Sequence, residues 1–324
     1  MAQSPLVFIS RRLPTSCLEL LERAGCRLRV HDSEVAPSRH ELLEGVAGCD
    51  AVITLVSDRV DEEFLDKAGE RLRVVANYAV GYDNVDVGAC SRRGVLVTNT
   101  PDVLTEATAD QAFMLILAVA RRALEGHRLV ASGLWQGWHP LQLLGQDVSG
   151  ATLGIVGMGR IGAAVARRAG AFGMKVLYHN RSRRPEAERQ LDASFRPELP
   201  ALLEESDIVS LHAPLTTETR HLIDAAALAL MRRHAILVNT SRGPLVDEVA
   251  LLEALREGQI WGAGLDVFED EPRVTPGLAE LDNVLLAPHL GSATERTRRE
   301  MAGLCARAVI AVLAGELPPN VVDE

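Results

Sequence analysis

Three polar stretches of the chain could carry chemistry, and each follows directly on an apolar run. They are Val238-Asn-Thr-Ser-Arg-Gly-Pro-Leu-Val-Asp247, Gly264-Leu-Asp-Val-Phe-Glu-Asp-Glu-Pro272 and Ala287-Pro-His-Leu-Gly-Ser292. They supply a permanent cation, Arg242, an acid 29 positions later, Glu271, and an imidazole 18 positions after that, His289. Each has an ordinary explanation when taken singly. Arg242 could anchor a surface ion pair, Glu271 could be a solvated turn acid, and His289 could be a satisfied core histidine. Together they place a guanidinium, a carboxylate and a proton carrier just past strands of a parallel sheet, the edge at which α/β proteins bind ligands.

A fourth stretch points to a dinucleotide. Thr152-Leu-Gly-Ile-Val156 runs into Gly157-Met-Gly-Arg-Ile-Gly162 and then into an Ala-rich helical segment. In that context Gly157 allows the tight turn, Gly159 lets backbone approach a pyrophosphate, and Gly162 permits close helix–strand packing. The helix N-terminus offers free N–H groups to the phosphates. A chance glycine-rich turn is the competing reading. The following strand ends in Asn180-Arg-Ser-Arg-Arg184, where an NAD site normally carries an acid about 20 residues on to hold the ribose 2′-hydroxyl. A neutral amide at 180, followed by Arg181, Ser182 and Arg183, removes the repulsion and adds donors for a 2′-phosphate. NADP(H) is therefore the expected cofactor and NAD(H) the possible one, with an ordinary solvated charged loop as the alternative.

The elements that must position these residues read as two alternating blocks. Strands are expected at 6–10, 27–31, 51–55, 72–76 and 95–98, and again at 152–156, 175–179, 208–212, 235–239, 260–266 and 284–287. Amphipathic stretches lie between them at 160–172, 198–205, 225–230 and 248–257, and a final helix covers 293–314. A single long helix is expected over 103–130, announced by Pro101. This βαβα rhythm implies α/β architecture, with two doubly wound, Rossmann-like parallel-sheet domains and a ligand cleft between them.

The length of 324 residues suits two domains. Subtracting 44 acidic from 34 basic residues gives a net charge of −10, which argues against nucleic acid or an anionic membrane surface as a general partner. The five cysteines, Cys17, Cys26, Cys49, Cys90 and Cys305, show neither CxxC pairing nor ligand spacing, so reduced thiols and no metal are expected. No signal-peptide pattern or membrane-length apolar run is present, and a cytoplasmic protein is the expectation.

With these residues the sequence resembles the D-2-hydroxyacid dehydrogenase family, and within it the glyoxylate/hydroxypyruvate reductases. The resemblance runs through essentially the whole chain: Asn77-Tyr-Ala-Val-Gly-Tyr-Asp83, Asn99-Thr-Pro-Asp-Val-Leu-Thr105, the glycine turn and all three polar stretches. Met158 stands where Leu is commoner. The resemblance implies a substrate-binding, flavodoxin-like domain from 1–101 with 290–324, and a dinucleotide domain at 102–289. It implies NADPH-dependent reduction of glyoxylate to glycolate and of hydroxypyruvate to D-glycerate. Arg242 would hold the 2-keto acid and polarise its carbonyl, His289 would act as general acid/base, and Glu271 would keep the imidazolium charged and oriented.

By the same resemblance, backbone N–H groups of Val80 and Gly81 would bind the substrate carboxylate, with Leu55 and Ser57 forming a further wall. Thr105, Arg160, Ile161, Pro214, Thr240, Asp266 and Gly291 would complete the cofactor site, Asp266 lying near the nicotinamide or the histidine. The loop Trp135-Gln-Gly-Trp-His-Pro-Leu141 reads as exposed. The resemblance implies a homodimer in which Trp138 reaches the partner's active site. Two other functions share these motifs: a dehydrogenase for another D-2-hydroxy acid or for phosphite, and a nicotinamide-sensing, corepressor-like binding protein.

Overall fold

A computed structural model describes residues 4–322. The chain divides into two compact units, one built from residues up to Leu104 together with those from Ala293 onward, the other from Thr105–Ser292. These limits lie a few residues beyond 101 and 290.

The first unit carries five parallel strands: β1 (Leu6–Ile9), β2 (Arg27–Val30), β3 (Ala51–Thr54), β4 (Val74–Asn77) and β5 (Leu96–Thr98). Their order is β2-β1-β3-β4-β5, with the reversal of direction between β1 and β3. β3 and β4 are buried at every position, as a sheet covered on both faces requires. The closing helix Glu295–Ala314 returns to this unit, its Thr294 hydroxyl capping the Thr297 N–H and Gly315 ending it at φ 87°. All five cysteines belong to this unit, buried and unbonded. Burial pushes the Cys17 thiol up to about 11 and, with Asp86 adding to it, the Cys90 thiol up to about 12.

The second unit carries β6 (Thr152–Val156), β7 (Lys175–His179), β8 (Ala193–Phe195), β9 (Ile208–Leu211), β10 (Ile236–Asn239), β11 (Gly262–Leu265) and β12 (Val284–Leu286). All pair in parallel in the order β12-β11-β10-β9-β6-β7-β8, the dinucleotide-fold order with one added strand. The reversal falls between β6 and β9, beside the glycine turn that follows β6. Apolar clusters contain strand residues such as Leu177 and Leu237 in one set and Ile155 and Val238 in another. Full burial of one such side chain is worth about 1.5–3 kcal/mol. Glycines in β11 let the helix Thr105–Ala120 lie close to the sheet. A Cβ on Gly264 would stand 2.9 Å from the Leu115 Cβ.

Two expectations are corrected. The stretch 103–130 is two helices, Thr105–Ala120 and Ala123–Ala131, broken where Arg122 takes φ 51°. The Ala120 carbonyl accepts the Gln146 N–H at 2.8 Å, and Gly145 packs so close that a Cβ there would lie 2.2 Å from the same oxygen. A returning segment thus takes the bond that would have continued the helix. The second correction is an addition: the edge strand β8 and the short helix Pro185–Leu191 before it lie within a charged stretch without apolar periodicity. Among the described residues, no helix is long and apolar enough to cross a membrane, and no cluster of His, Cys, Asp and Glu could hold a metal.

Candidate active site

The second unit brings its expected polar residues to the carboxyl edge of one sheet. Arg242 follows β10, Asp266 and Glu271 follow β11, His289 follows β12, and Gly157 follows β6. Each is fixed by local chemistry. The Arg242 turn is held by the Asn239 amide donating to the Arg242 carbonyl at 2.8 Å, and by the Ser241 hydroxyl donating to the Ala213 carbonyl at 2.6 Å. The guanidinium leans back on the Ser241 carbonyl at 2.9 Å.

His289 sits at φ 55°, a left-handed conformation that a residue with a side chain rarely adopts. Asp266 imposes it. The Asp266 carbonyl accepts the His289 N–H at 2.9 Å, and its carboxylate accepts the Leu290 and Gly291 N–H groups at 2.7 Å each. Gln111, reaching from the helix Thr105–Ala120, donates to the same carboxylate at 3.0 Å. Burial pushes the Asp266 carboxyl above its ordinary value, against the pull of these donors and of His289. The structure therefore commits Asp266 to the histidine segment. Gln111 is a site residue that sequence reasoning missed, since no motif announces it.

The imidazole is oriented by Glu271, whose Oε2 lies 3.0 Å from His289 Nδ1. Both side chains are about one-third exposed. Glu271 Oε1 accepts the Phe268 N–H at 3.1 Å. Burial alone would raise the Glu271 carboxyl; the hydrogen bond and charge of His289, the Phe268 N–H and the charge of Arg242 outweigh it and hold the group below the usual glutamate value. With Nδ1–H donating to the carboxylate, Nε2 is the nitrogen left for proton transfer.

The glycine turn fits a dinucleotide phosphate. Gly157 takes φ 98°, and a Cβ there would stand 2.6 Å from the His212 backbone. A Cβ on Gly162 would lie 2.2 Å from the Gly157 carbonyl oxygen, whereas Gly159 faces open space. That open side at the start of the helix Arg160–Ala171 is where an anion can meet unsatisfied N–H groups. Met158 is buried in the core and leaves the turn unobstructed. Burial lowers His212, next to this turn, to about 4 and keeps it neutral, with Nε2 2.8 Å from the Ser210 hydroxyl. The Thr240 hydroxyl is buried without a protein partner, as suits a residue expected to meet the cofactor. Thr105 opens its helix, Pro214 follows Ala213 with its carbonyl accepting the Thr219 hydroxyl at 2.7 Å, and Ile161 is partly buried against the core.

In the 180–184 loop, the Asn180 amide donates to the Ser182 carbonyl at 2.9 Å, and Arg181 and Ser182 are exposed. Arg183 has a different partner from the one expected. Its guanidinium binds both oxygens of Glu188, the two closest contacts at 2.7 and 2.8 Å, and the Tyr178 hydroxyl donates to the same carboxylate at 2.7 Å. Arg183 and Tyr178 hold the Glu188 carboxyl down to about 2.

In the first unit, one backbone N–H and one amide side chain fix two successive peptides. The Ala79 carbonyl accepts the Thr100 N–H at 2.8 Å and the Val80 carbonyl accepts the Asn99 amide at 2.8 Å. A trans peptide sets N–H opposite C=O, so the Val80 and Gly81 N–H groups point away from these partners. Asn77 donates to the Gly81 carbonyl at 2.9 Å, and Asn84 to the Leu55 and Asp58 carbonyls at 3.0 and 2.9 Å. The Asp58 carboxylate, buried and raised by that burial, accepts the Leu55 N–H at 2.7 Å and the Ser10 hydroxyl, while Arg11 reaches the exposed Ser57 hydroxyl at 3.2 Å. The loop at 135–141 is exposed, Trp138 at 83%.

Comparisons with known proteins agree with this geometry. Residues 113–291 match the model of the D-isomer specific 2-hydroxyacid dehydrogenase, NAD binding domain. A glyoxylate reductase of Thermococcus litoralis is 52% identical over 324 residues, covering 99% of this chain and 97% of that one. A crystal structure from Thermus thermophilus superposes with a TM-score of 0.92 at 49% identity over 98% of this chain and 100% of that one. The NADPH-dependent glyoxylate/hydroxypyruvate reductase of Sinorhizobium meliloti, solved with NADP and malonate, gives 0.86 at 33% identity over 99% and 97%. Fold order, glycine turn and sheet-edge residues lead to the same conclusion: the chain is a member of the D-isomer specific 2-hydroxyacid dehydrogenase family.

Proposed function

We propose that the protein reduces small 2-keto acids, glyoxylate to glycolate and hydroxypyruvate to D-glycerate, with NADPH as the preferred reductant. The observation that carries this reading is the Glu271–His289 hydrogen bond at the sheet edge that also holds the glycine turn. Held by the second unit, a reduced nicotinamide cofactor would supply the hydride that the reaction needs at the carbonyl carbon. His289 Nε2 gives the proton to the carbonyl oxygen, Glu271 holds the imidazolium, and Arg242 draws electron density toward that oxygen. Val80 and Gly81 are proposed to bind the substrate carboxylate, with Leu55 and Ser57 shaping the pocket. Gly157, Gly159, Arg160, Ile161 and Gly162 would hold the pyrophosphate, and Thr105, Pro214, Thr240 and Gly291 would line the rest of the cofactor site. The unbonded thiols suit a reducing compartment, and the cytoplasm is the proposed location.

Preference for NADPH rests on Asn180 in place of an acid, with Arg181 and Ser182 exposed beside it. Arg183, engaged by Glu188, is assigned to shaping the loop. Initial rates with glyoxylate, hydroxypyruvate and pyruvate, using each reduced cofactor, test the reading. Arg181→Ala with Ser182→Ala is expected to raise KM for NADPH at least about tenfold, the scale of a lost charge-assisted contact, with little change for NADH. Equal losses for both cofactors would remove the 2′-phosphate argument. No turnover of any pair despite tight dinucleotide binding would favour another 2-hydroxy acid, phosphite or the sensor reading.

The exposed arm around Trp138 includes Leu134, Trp135, Leu141 and Leu144, an apolar surface of the kind that marks an interface. It supports a homodimer in which Trp138 contributes to the partner's site. Sedimentation of the purified protein is expected to give a dimer that Trp138→Ala weakens; a monomer at micromolar concentration would overturn this part.

A further inference from the structure

Glu248 opens the helix Glu248–Arg256, a position where an acid usually meets solvent and the helix dipole. Here it is only 2% exposed. A carboxylate is buried at such a site only when hydrogen bonds compensate for the lost water. Its bonds all come from one loop. Oε1 accepts the Glu269 N–H at 2.6 Å, while Oε2 accepts the Thr275 hydroxyl at 2.6 Å and the Thr275 N–H at 3.3 Å. Between these two anchors runs the exposed stretch 270–273, which carries Glu271.

A second contact joins the same two segments. Gly243, next to Arg242, packs so tightly that a Cβ would fall 1.9 Å from the Phe268 carbonyl and 2.4 Å from the Glu269 nitrogen. The Phe268 N–H is the donor that steadies Glu271 Oε1, at 3.1 Å. The segment 242–248 therefore works as a template: one end presents Arg242, the middle abuts the Phe268–Glu269 peptide, and the Glu248 carboxylate fastens both ends of the Glu271 loop.

We infer that Glu248 is a positioning residue for proton transfer, setting the place of the Glu271 carboxylate and through it the orientation of the His289 ring. This rests on the reading of Glu271 and His289 given above. Glu248→Gln keeps the shape, but its amide nitrogen cannot accept: at the Oε2 position it loses the Thr275 N–H and reverses the Thr275 hydroxyl bond, and at the Oε1 position it loses the Glu269 N–H, so one anchor is weakened. The expected result is a fall in the reductive kcat of about 10- to 100-fold, the scale of a misplacement near 1 Å. KM for the cofactor is expected to stay unchanged, with the acid limb of the reductive rate moving up toward the ordinary glutamate range, because a displaced Glu271 loses the donors that hold it down. In a Glu271→Gln background the same change should cost less than about twofold, because the residue it acts through is already gone.

A purely structural role would lower Tm, leave the pH profile in place and cost the same factor in both backgrounds; that result overturns the inference. If Glu248→Gln fails to fold, Thr275→Val removes one donor and should give a smaller loss with the same non-additivity, while full activity of that variant would likewise overturn it. The 15N resonance of His289 Nδ1, read without substrate, repeats the comparison independently of turnover. No effect of Glu271→Gln on rate or resonance would defeat the reading of the site and this inference with it. An effect of Glu271→Gln without one of Glu248→Gln defeats the inference alone.

Discussion

Replacing His289 by asparagine is expected to lower the reductive kcat by about 10²–10⁴-fold, the usual worth of a positioned general acid, while dinucleotide affinity stays within about twofold. Asparagine is the cleaner replacement because it tolerates the left-handed backbone found here at φ 55°. Alanine at that φ would add strain to the chemical loss. Retained turnover would sink the acid/base assignment. The wild-type pH profile follows from the same pair. On the proposed assignment, reduction would need a proton donor at His289 and an ionised Glu271, so the reductive rate should fall and the oxidative rate rise with increasing pH. On the acid side, Glu271 is held below the ordinary glutamate value. Its ionised form is present above that value and is lost only as pH falls through the lowered one. The acid limb of the reductive kcat should therefore lie below the usual glutamate range, and a limb at or above that range would contradict the ion pair.

The second large effect belongs to Arg242. Arg242→Ala is expected to cost about 10²–10³-fold in kcat/KM for the keto acid, comparable to removing a donor aimed at developing oxyanion charge. Arg242→Lys should recover only part of it, since an ammonium is a point charge without the planar fork. The backbone argues that the loss would be chemical. The Asn239 and Ser241 bonds that fix the turn use Arg242 only through its carbonyl or not at all, so they survive either substitution. Thermal melting is expected to change little, and a large drop in Tm would mean that the guanidinium supports the fold instead.

Much of this organisation could be read from the chain. The strands of both sheets stand out because buried parallel strands leave short apolar runs, such as Val74–Asn77 and Ile236–Asn239. The three polar stretches and the glycine turn stand out because they interrupt those runs at regular points. What escapes a linear reading depends on partners far apart in sequence. The break before Ala123 comes from the Gln146 N–H, and neither residue looks like a helix terminator. Edge strand β8 is three residues long, too short to show alternation. Asp266 can be placed near the reaction, but its grip on Leu290 and Gly291 cannot, since a buried carboxylate and its backbone donors share no periodicity. Glu248 reads locally as a first-turn acid; only the folded loop shows which N–H groups it serves. Arg183 reads as a phosphate ligand, and its ion pair with Glu188, in a helix hidden by its own charges, is not legible from the chain.

The distribution of the cysteines has a practical consequence. Every thiol lies in the unit formed by the two ends of the chain, and Thr105–Ser292 has none. Buried and raised above their ordinary values, the thiols react slowly with alkylating reagents while that unit stays closed. The labelling rate is therefore a clock for opening of one half of the molecule, blind to the half that holds the nucleotide turn. Read beside hydrogen exchange of the sheet β6–β12, it separates the lifetimes of two folding units in a single unmodified chain.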